Sequence, residues 1–119
     1  MSEQQSTVDH NHLDILRETI GDDFMPLIPA YLEQSDNIIK NLNKSYQEQD
    51  MDVFIRSAHS LKSSSYTLGA FQLSEYSRQL EENAKADASL QLLEQLIEMI
   101  NGEYPNVKQA LKMYQSNTY

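Results

Sequence analysis

The stretch FIRSAHSLKSSSYTLG, residues 54–69, decides how this chain folds. Its inward candidates Phe54, Ala58, Leu61, Ser65 and Leu68 step by four, three, four and three, the spacing that lines one face of an α-helix. Asp50 or Asp52 stands where a cap would start that helix, and Gly69 can take the left-handed conformation that ends it. The small Ala58 and Ser65 on the stripe imply close packing. Off the stripe, Arg56, His59 and Lys62 follow one another at i, i+3, with Ser63 four residues after the histidine. His59 therefore faces outward, with a cation on either side.

The rest of the chain repeats the helical pattern. Asn11 can cap a short helix carrying Leu13, Leu16 and Ile20, closed by Gly21. Asp22 or Asp23 is expected to cap a second helix running to about Gln49, with Phe24, Ile28, Tyr31, Ser35, Ile38 and Leu42 on one face. Pro26 fits its first turn, whereas Pro29 should remove a ladder bond and bend it. After Gly69 a further helix turns Leu73, Tyr76, Leu80 and Ala84 inward. Asp87 is expected to cap the last, with Leu93, Ile97, Ile100, Tyr104, Val107 and Leu111 inward and Pro105 interrupting it. Links of a few residues cannot carry the chain back across the molecule, so consecutive long helices must run antiparallel. The expected fold is all-α, an up-down-up-down four-helix bundle with a short extra N-terminal helix. Its domain should cover residues 12–115, between a flexible polar tail at 1–11 and a short tail at 116–119.

Composition narrows the function. A chain of 119 residues suits one domain, and three glycines and three prolines among many good helix formers agree with an all-helical class. Eighteen acidic against nine basic residues give a net charge of −9, which argues against nucleic acid as a partner. Without cysteine there is no disulfide or thiolate metal site, and the chain suits a reducing compartment. No apolar run resembles a signal peptide or a membrane span, so a cytoplasmic protein without membrane attachment is expected. Gly21, Gly69 and Gly102 are isolated at helix ends, so no loop here cradles ATP and phosphate must come from elsewhere. His10, His12 and Asp14 sit at the edge of the polar tail with no fourth ligand nearby, and Arg56 stands where a di-iron bundle would need glutamate three residues before His59. No metal and no cofactor are expected in the chain.

The run Ala58-His59-Ser60-Leu61-Lys62-Ser63-Ser64-Ser65, followed by Leu68-Gly69-Ala70, Leu73 and Leu80-Glu81, resembles the signature of histidine-phosphotransfer (HPt) domains. Glu103-Tyr104, Val107 and Ala110-Leu111 resemble the pattern that closes many of them, so the likeness spans roughly residues 12–115, with its specific core at 58–81. The resemblance implies that His59 is the phosphorylated residue and Lys62 the family's cation one turn later. It also implies an acidic or amide residue at Glu81. The implied partners are receiver domains of a hybrid histidine kinase and of a response regulator, the magnesium used in transfer belonging to the receiver. The family usually has glycine where this chain has Ser63, which puts a hydroxymethyl group where a partner approaches.

The residue types suit that chemistry. A neutral imidazole nitrogen is a nucleophile near pH 7, because the unperturbed pKa of histidine is about 6.5. For one ring nitrogen to attack, the other should carry the proton and be held by an acceptor. Glu81 follows core residue Leu80 as His59 follows Ala58, so the two can meet across adjacent antiparallel helices. The plainer reading of Glu81 is a solvated carboxylate paired with Lys85 at i+4. Lys62 can offset the charge of an arriving phosphoryl group, or be an ordinary surface lysine. Arg56, Lys62, Arg78 and Lys85 would gather around His59 in an otherwise acidic chain, suggesting, with Ser63, a docking face for an acidic partner. The expected protein is a monomeric phosphoryl carrier, neither kinase nor hydrolase. The alternative is a helical adaptor that binds a signalling partner without transfer.

Overall fold

A computed structural model describes residues 7–118. The chain is all-helical: α1 is His10–Ile20, α2 Leu27–Gln47, α3 Met51–Thr67, α4 Phe71–Lys85 and α5 Leu90–Thr118, with a 3₁₀ turn, Gly21–Phe24, between α1 and α2. The longest dimension, 43 Å, is the length of the 29-residue α5 at the usual helical rise. The four longer helices close a ring of packing contacts, α2 on α3, α3 on α4, α4 on α5 and α5 on α2. Across α2 and α5, Tyr46 bonds Glu94 (3.0 Å), Asn43 bonds Asn101, and Asp36 accepts from Tyr104 (2.7 Å), so rising numbers meet falling ones. The same reversal pairs Ser74 with Lys62 and Glu81 with His59 across α3 and α4.

The stripes expected from periodicity make up most of the core. Phe54, Ala58, Leu61, Ser65 and Leu68 are all buried, as are Leu73, Leu80 and Ala84 of α4 and Leu93, Ile97, Ile100, Tyr104, Val107 and Leu111 of α5. Ile38 and Tyr76 are half-buried. The ends of α2, α3 and α4 share one device. Gln49, Gly69 and Asp87 take positive φ (59°, 77° and 56°), and the amide of the next residue returns to a carbonyl five residues back.

Several boundaries differ from the sequence expectation, each for a local reason. The cap of α1 is Asp9, whose carboxylate accepts from the His12 amide at 3.0 Å, and not Asn11. Val8 is fully buried, so residues 7–11, expected to be tail, belong to the fold; the remainder of that tail lies outside the described residues. Residues 116–118, also expected to be tail, continue α5. Asp22 and Asp23 lie in the 3₁₀ turn, and α2 starts only at Leu27. Pro29 is therefore the third residue of the helix, where an N–H would have no partner; the first ladder bond runs from the Ala30 amide to the Pro26 carbonyl at 3.1 Å. The loss of a bond expected at Pro29 does not occur. Pro105 does not interrupt α5, because buried Tyr104, Val107 and Leu111 hold the helix to the core on both sides of it. Asp87 ends α4 and does not cap α5, where Ser89 accepts from the Leu92 amide at 3.2 Å.

The N-terminal segment straps the turn between α3 and α4. The Asp9 amide donates to the Gly69 carbonyl (3.0 Å), and the His12 ring donates through Nε2 to the Thr67 carbonyl (2.9 Å), edge-on to Phe71. His12, expected at the edge of a tail, thus has a place in the packing. Among the described residues no helix is long and apolar enough to cross a membrane.

Candidate functional site

The site is built where α3 and α4 lie side by side. Asp50 caps α3, its carboxylate accepting from the Val53 amide, and the buried stripe fixes the helix about its axis, leaving His59 on the rim. The Ser74 hydroxyl donates to the Lys62 carbonyl at 2.8 Å, bonding the first turn of α4 to the middle of α3. That contact sets the distance across which the side chains meet.

Glu81 is the hub. Its side chain is only 6% exposed, and its two oxygens receive three donors: His59 Nδ1 at 2.9 Å and Lys85 Nζ at 3.1 Å on Oε2, and Lys62 Nζ at 2.9 Å on Oε1. Burial alone would raise its pKa, but the bonds from Lys62, Lys85 and His59 outweigh burial and hold it down at about 2. Glu81 is thus ionised at neutral pH and can only accept, so the proton in its bond with His59 sits on Nδ1. The other ring nitrogen, Nε2, takes no part in that bond, on a ring that is 59% exposed. What this arrangement supplies is an oriented, solvent-facing imidazole whose Nε2 is a nucleophile when the ring is neutral.

The sequence-derived residues fall into two groups. His59, Lys62, Glu81 and Lys85 come together: Glu81 meets His59 across the helices and Lys85 along its own, and it does so as a buried carboxylate, not the solvated one of the plainer reading. The Lys62 ammonium rests on the carboxylate. Arg78 does not join them: it is held by Glu75 and Glu82 of its own helix. Arg56 is exposed one turn before His59 and makes no ion pair among the described residues. Ser63 is exposed and lines a cleft with Lys62, Tyr66, Phe71 and Arg78. The cationic face is therefore more nearly neutral than a count of its four basic residues implies. The i, i+3 and i, i+4 spacing of Glu75, Arg78 and Glu82 carried that signal in the sequence. The bond from Ser74 to a main-chain carbonyl carried none.

The sequence model of the Hpt domain matches residues 26–110. The chain belongs to this family. The crystal structure of histidine-containing phosphotransfer protein B (HptB) from Pseudomonas aeruginosa PAO1 superposes on it with a TM-score of 0.86, at 28% sequence identity, over 93% of this chain and 96% of that one. No curated protein matched the sequence. The matched span of the Hpt domain contains α2, α3 and α4 and most of α5, and with them His59, Lys62, Glu81 and Lys85. The strap formed by α1 precedes the span.

Proposed function

We propose that this Hpt protein carries a phosphoryl group on His59, taking it from the aspartyl phosphate of a hybrid histidine kinase's receiver domain and handing it to the receiver aspartate of a response regulator. Membership of the Hpt family and likeness to a histidine-containing phosphotransfer protein support histidine phosphotransfer in phosphorelay signalling. The observation that carries the assignment to His59 is its exposed ring, held through Nδ1 by a buried, ionised carboxylate. In the forward step Nε2 forms a bond to phosphorus as the bond from phosphorus to the aspartyl oxygen breaks, and the aspartate leaves as a carboxylate. The reverse step delivers the group to the second receiver. Lys62, beside the ring and on the same carboxylate, offsets phosphoryl charge during transfer. Magnesium belongs to the receiver, and no cofactor is assigned to this chain.

The chain acts as a carrier and not as a kinase, working as a cytoplasmic monomer on receiver domains and not on nucleic acid or membranes. Its four longer helices form an antiparallel up-down-up-down bundle, supported by the closed ring of contacts and the reversed numbering of bonded pairs. Arg56 and Ser63, exposed on the face of His59, meet the receiver; Arg78 and Lys85 border that contact. Incubation with a phosphorylated receiver domain tests the proposal. The native chain should gain an alkali-stable, acid-labile label that His59→Gln does not acquire. Binding without label would leave only an adaptor.

A further inference from the structure

A buried carboxylate beside a histidine has two opposed effects. It fixes the ring and its tautomer, and it also favours the imidazolium, in which Nε2 carries a proton and cannot attack. A carrier built on His59 and Glu81 alone would gain orientation and lose nucleophile. The structure holds a counterweight on each oxygen: Lys62 Nζ on Oε1 at 2.9 Å, and Lys85 Nζ on Oε2 at 3.1 Å, the same oxygen that accepts from His59. Since both groups touch Oε2, the Lys85 ammonium and the imidazole Nδ1 are at most about 6 Å apart, close enough for the cation to act on the ring's charge as well as on its acceptor.

We propose that Lys85 is a positioning residue for His59, acting through Glu81: by sharing the oxygen that the imidazole uses, its ammonium lets the carboxylate hold the ring without converting it into an imidazolium. The inference rests on the phosphoryl-carrier assignment of His59 for its functional meaning, but not for its test. Both ways in which Lys85 acts have the same sign. It competes for Oε2, weakening that oxygen as an acceptor from a doubly protonated ring, and it repels the positive charge that the ring would gain.

The other charged groups near the pair do not duplicate it. On α3, Lys62 holds Oε1, and Arg56 lies one turn away without an ion pair among the described residues. On α4, Arg78 is committed to Glu75 and Glu82. From α2 and α5, the outer neighbours of α3 and α4, no charged side chain forms an ion pair with this group among the described residues. Lys85 is 59% exposed, so its replacement leaves the core untouched.

The test is the titration of the His59 ring followed by NMR in the whole chain, with His10 and His12 as internal references. Lys85→Met should raise the His59 midpoint by roughly half a pH unit at low salt, less at high salt, while the two references stay in place. Lys85→Arg should restore the native midpoint, and the pH profile of phosphoryl uptake should move upward with the midpoint in the Met variant alone. An unchanged midpoint in Lys85→Met, or a midpoint raised equally in Lys85→Arg, overturns the inference. A raised midpoint in a chain that never takes label from a phosphorylated receiver would keep Lys85's action on His59 and refute the carrier assignment instead.

Discussion

Glu81 places three donors on two oxygens, and its replacement separates orientation from charge. Glu81→Ala should slow phosphoryl uptake by His59 about tenfold to a hundredfold, the usual range for losing a group that orients a reactive ligand, as read by single-turnover transfer. An undiminished rate would remove the carboxylate from the mechanism. The fold should survive, because the freed ammonium groups of Lys62 and Lys85, 31% and 59% exposed, can reach water. Lys62→Ala should slow transfer while costing less than about 1 kcal/mol in a urea titration. Glu81 also links the site to pH. Its folded pKa, about 2, lies below its ordinary 4.5, so its stabilising contribution is complete above about pH 4.5 and is lost as pH falls toward 2. Glu81→Gln should flatten that part of the stability profile relative to the native chain. Parallel profiles would show that the carboxylate is not held as described.

At the scale of the elements, the turn between α3 and α4 sets the geometry of the site, and two glycines test it. Gly69 and Gly21 both have positive φ, 77° and 60°, and Gly21 with ψ −125° lies outside the left-handed helical region, so alanine at either is strained by backbone conformation alone. A Cβ at Gly21 would meet open space, whereas at Gly69 it would lie 3.2 Å from the Asp9 carbonyl oxygen and 3.3 Å from His12 Cδ2. Gly69→Ala should therefore also push the N-terminal strap off the turn, read as faster hydrogen exchange of the Asp9 amide, which Gly21→Ala leaves protected. Equal protection of that amide in the two variants would mean that the strap yields without leaving the turn. Ser74→Ala removes the hydroxyl bonded to the Lys62 carbonyl and should cost about 0.5–1.5 kcal/mol in chemical denaturation, with a slower transfer rate as α4 loosens beside His59.

For the molecule as a whole, the alkaline limit is set by phenols and not by the site. Burial raises the Tyr31 pKa, and burial together with the bond to the Asp36 carboxylate raises that of Tyr104 well above the ordinary 10. A raised folded pKa means stability that is complete below about pH 10 and falls as pH rises beyond it, since only the unfolded chain ionises readily. Tyrosinate absorbance from these two residues should appear together with the loss of helical circular dichroism. Ionisation of all seven tyrosines ahead of unfolding would contradict their burial.

Periodicity determined the stripes that make up most of the core, because a helical stripe has one way to leave water: the five inward residues read from 54–69 are all buried, and the outward position of His59 follows from the same count. The family signature added the expectation that His59 is the phosphorylated histidine. Helix starts were less legible, since Asp9 and Ser89 became the caps through local bonds that Asn11 and Asp87 offered equally well on paper, and the burial of Tyr104 and Val107 carried α5 through Pro105. Only the tertiary structure decided that Glu81 grips His59 and both lysines at once and that Arg78 is drawn off to Glu75 and Glu82. The physical reason is that partnership across two helices depends on their separation and rotation, which one helix's sequence does not contain, whereas burial of a stripe depends on that sequence alone.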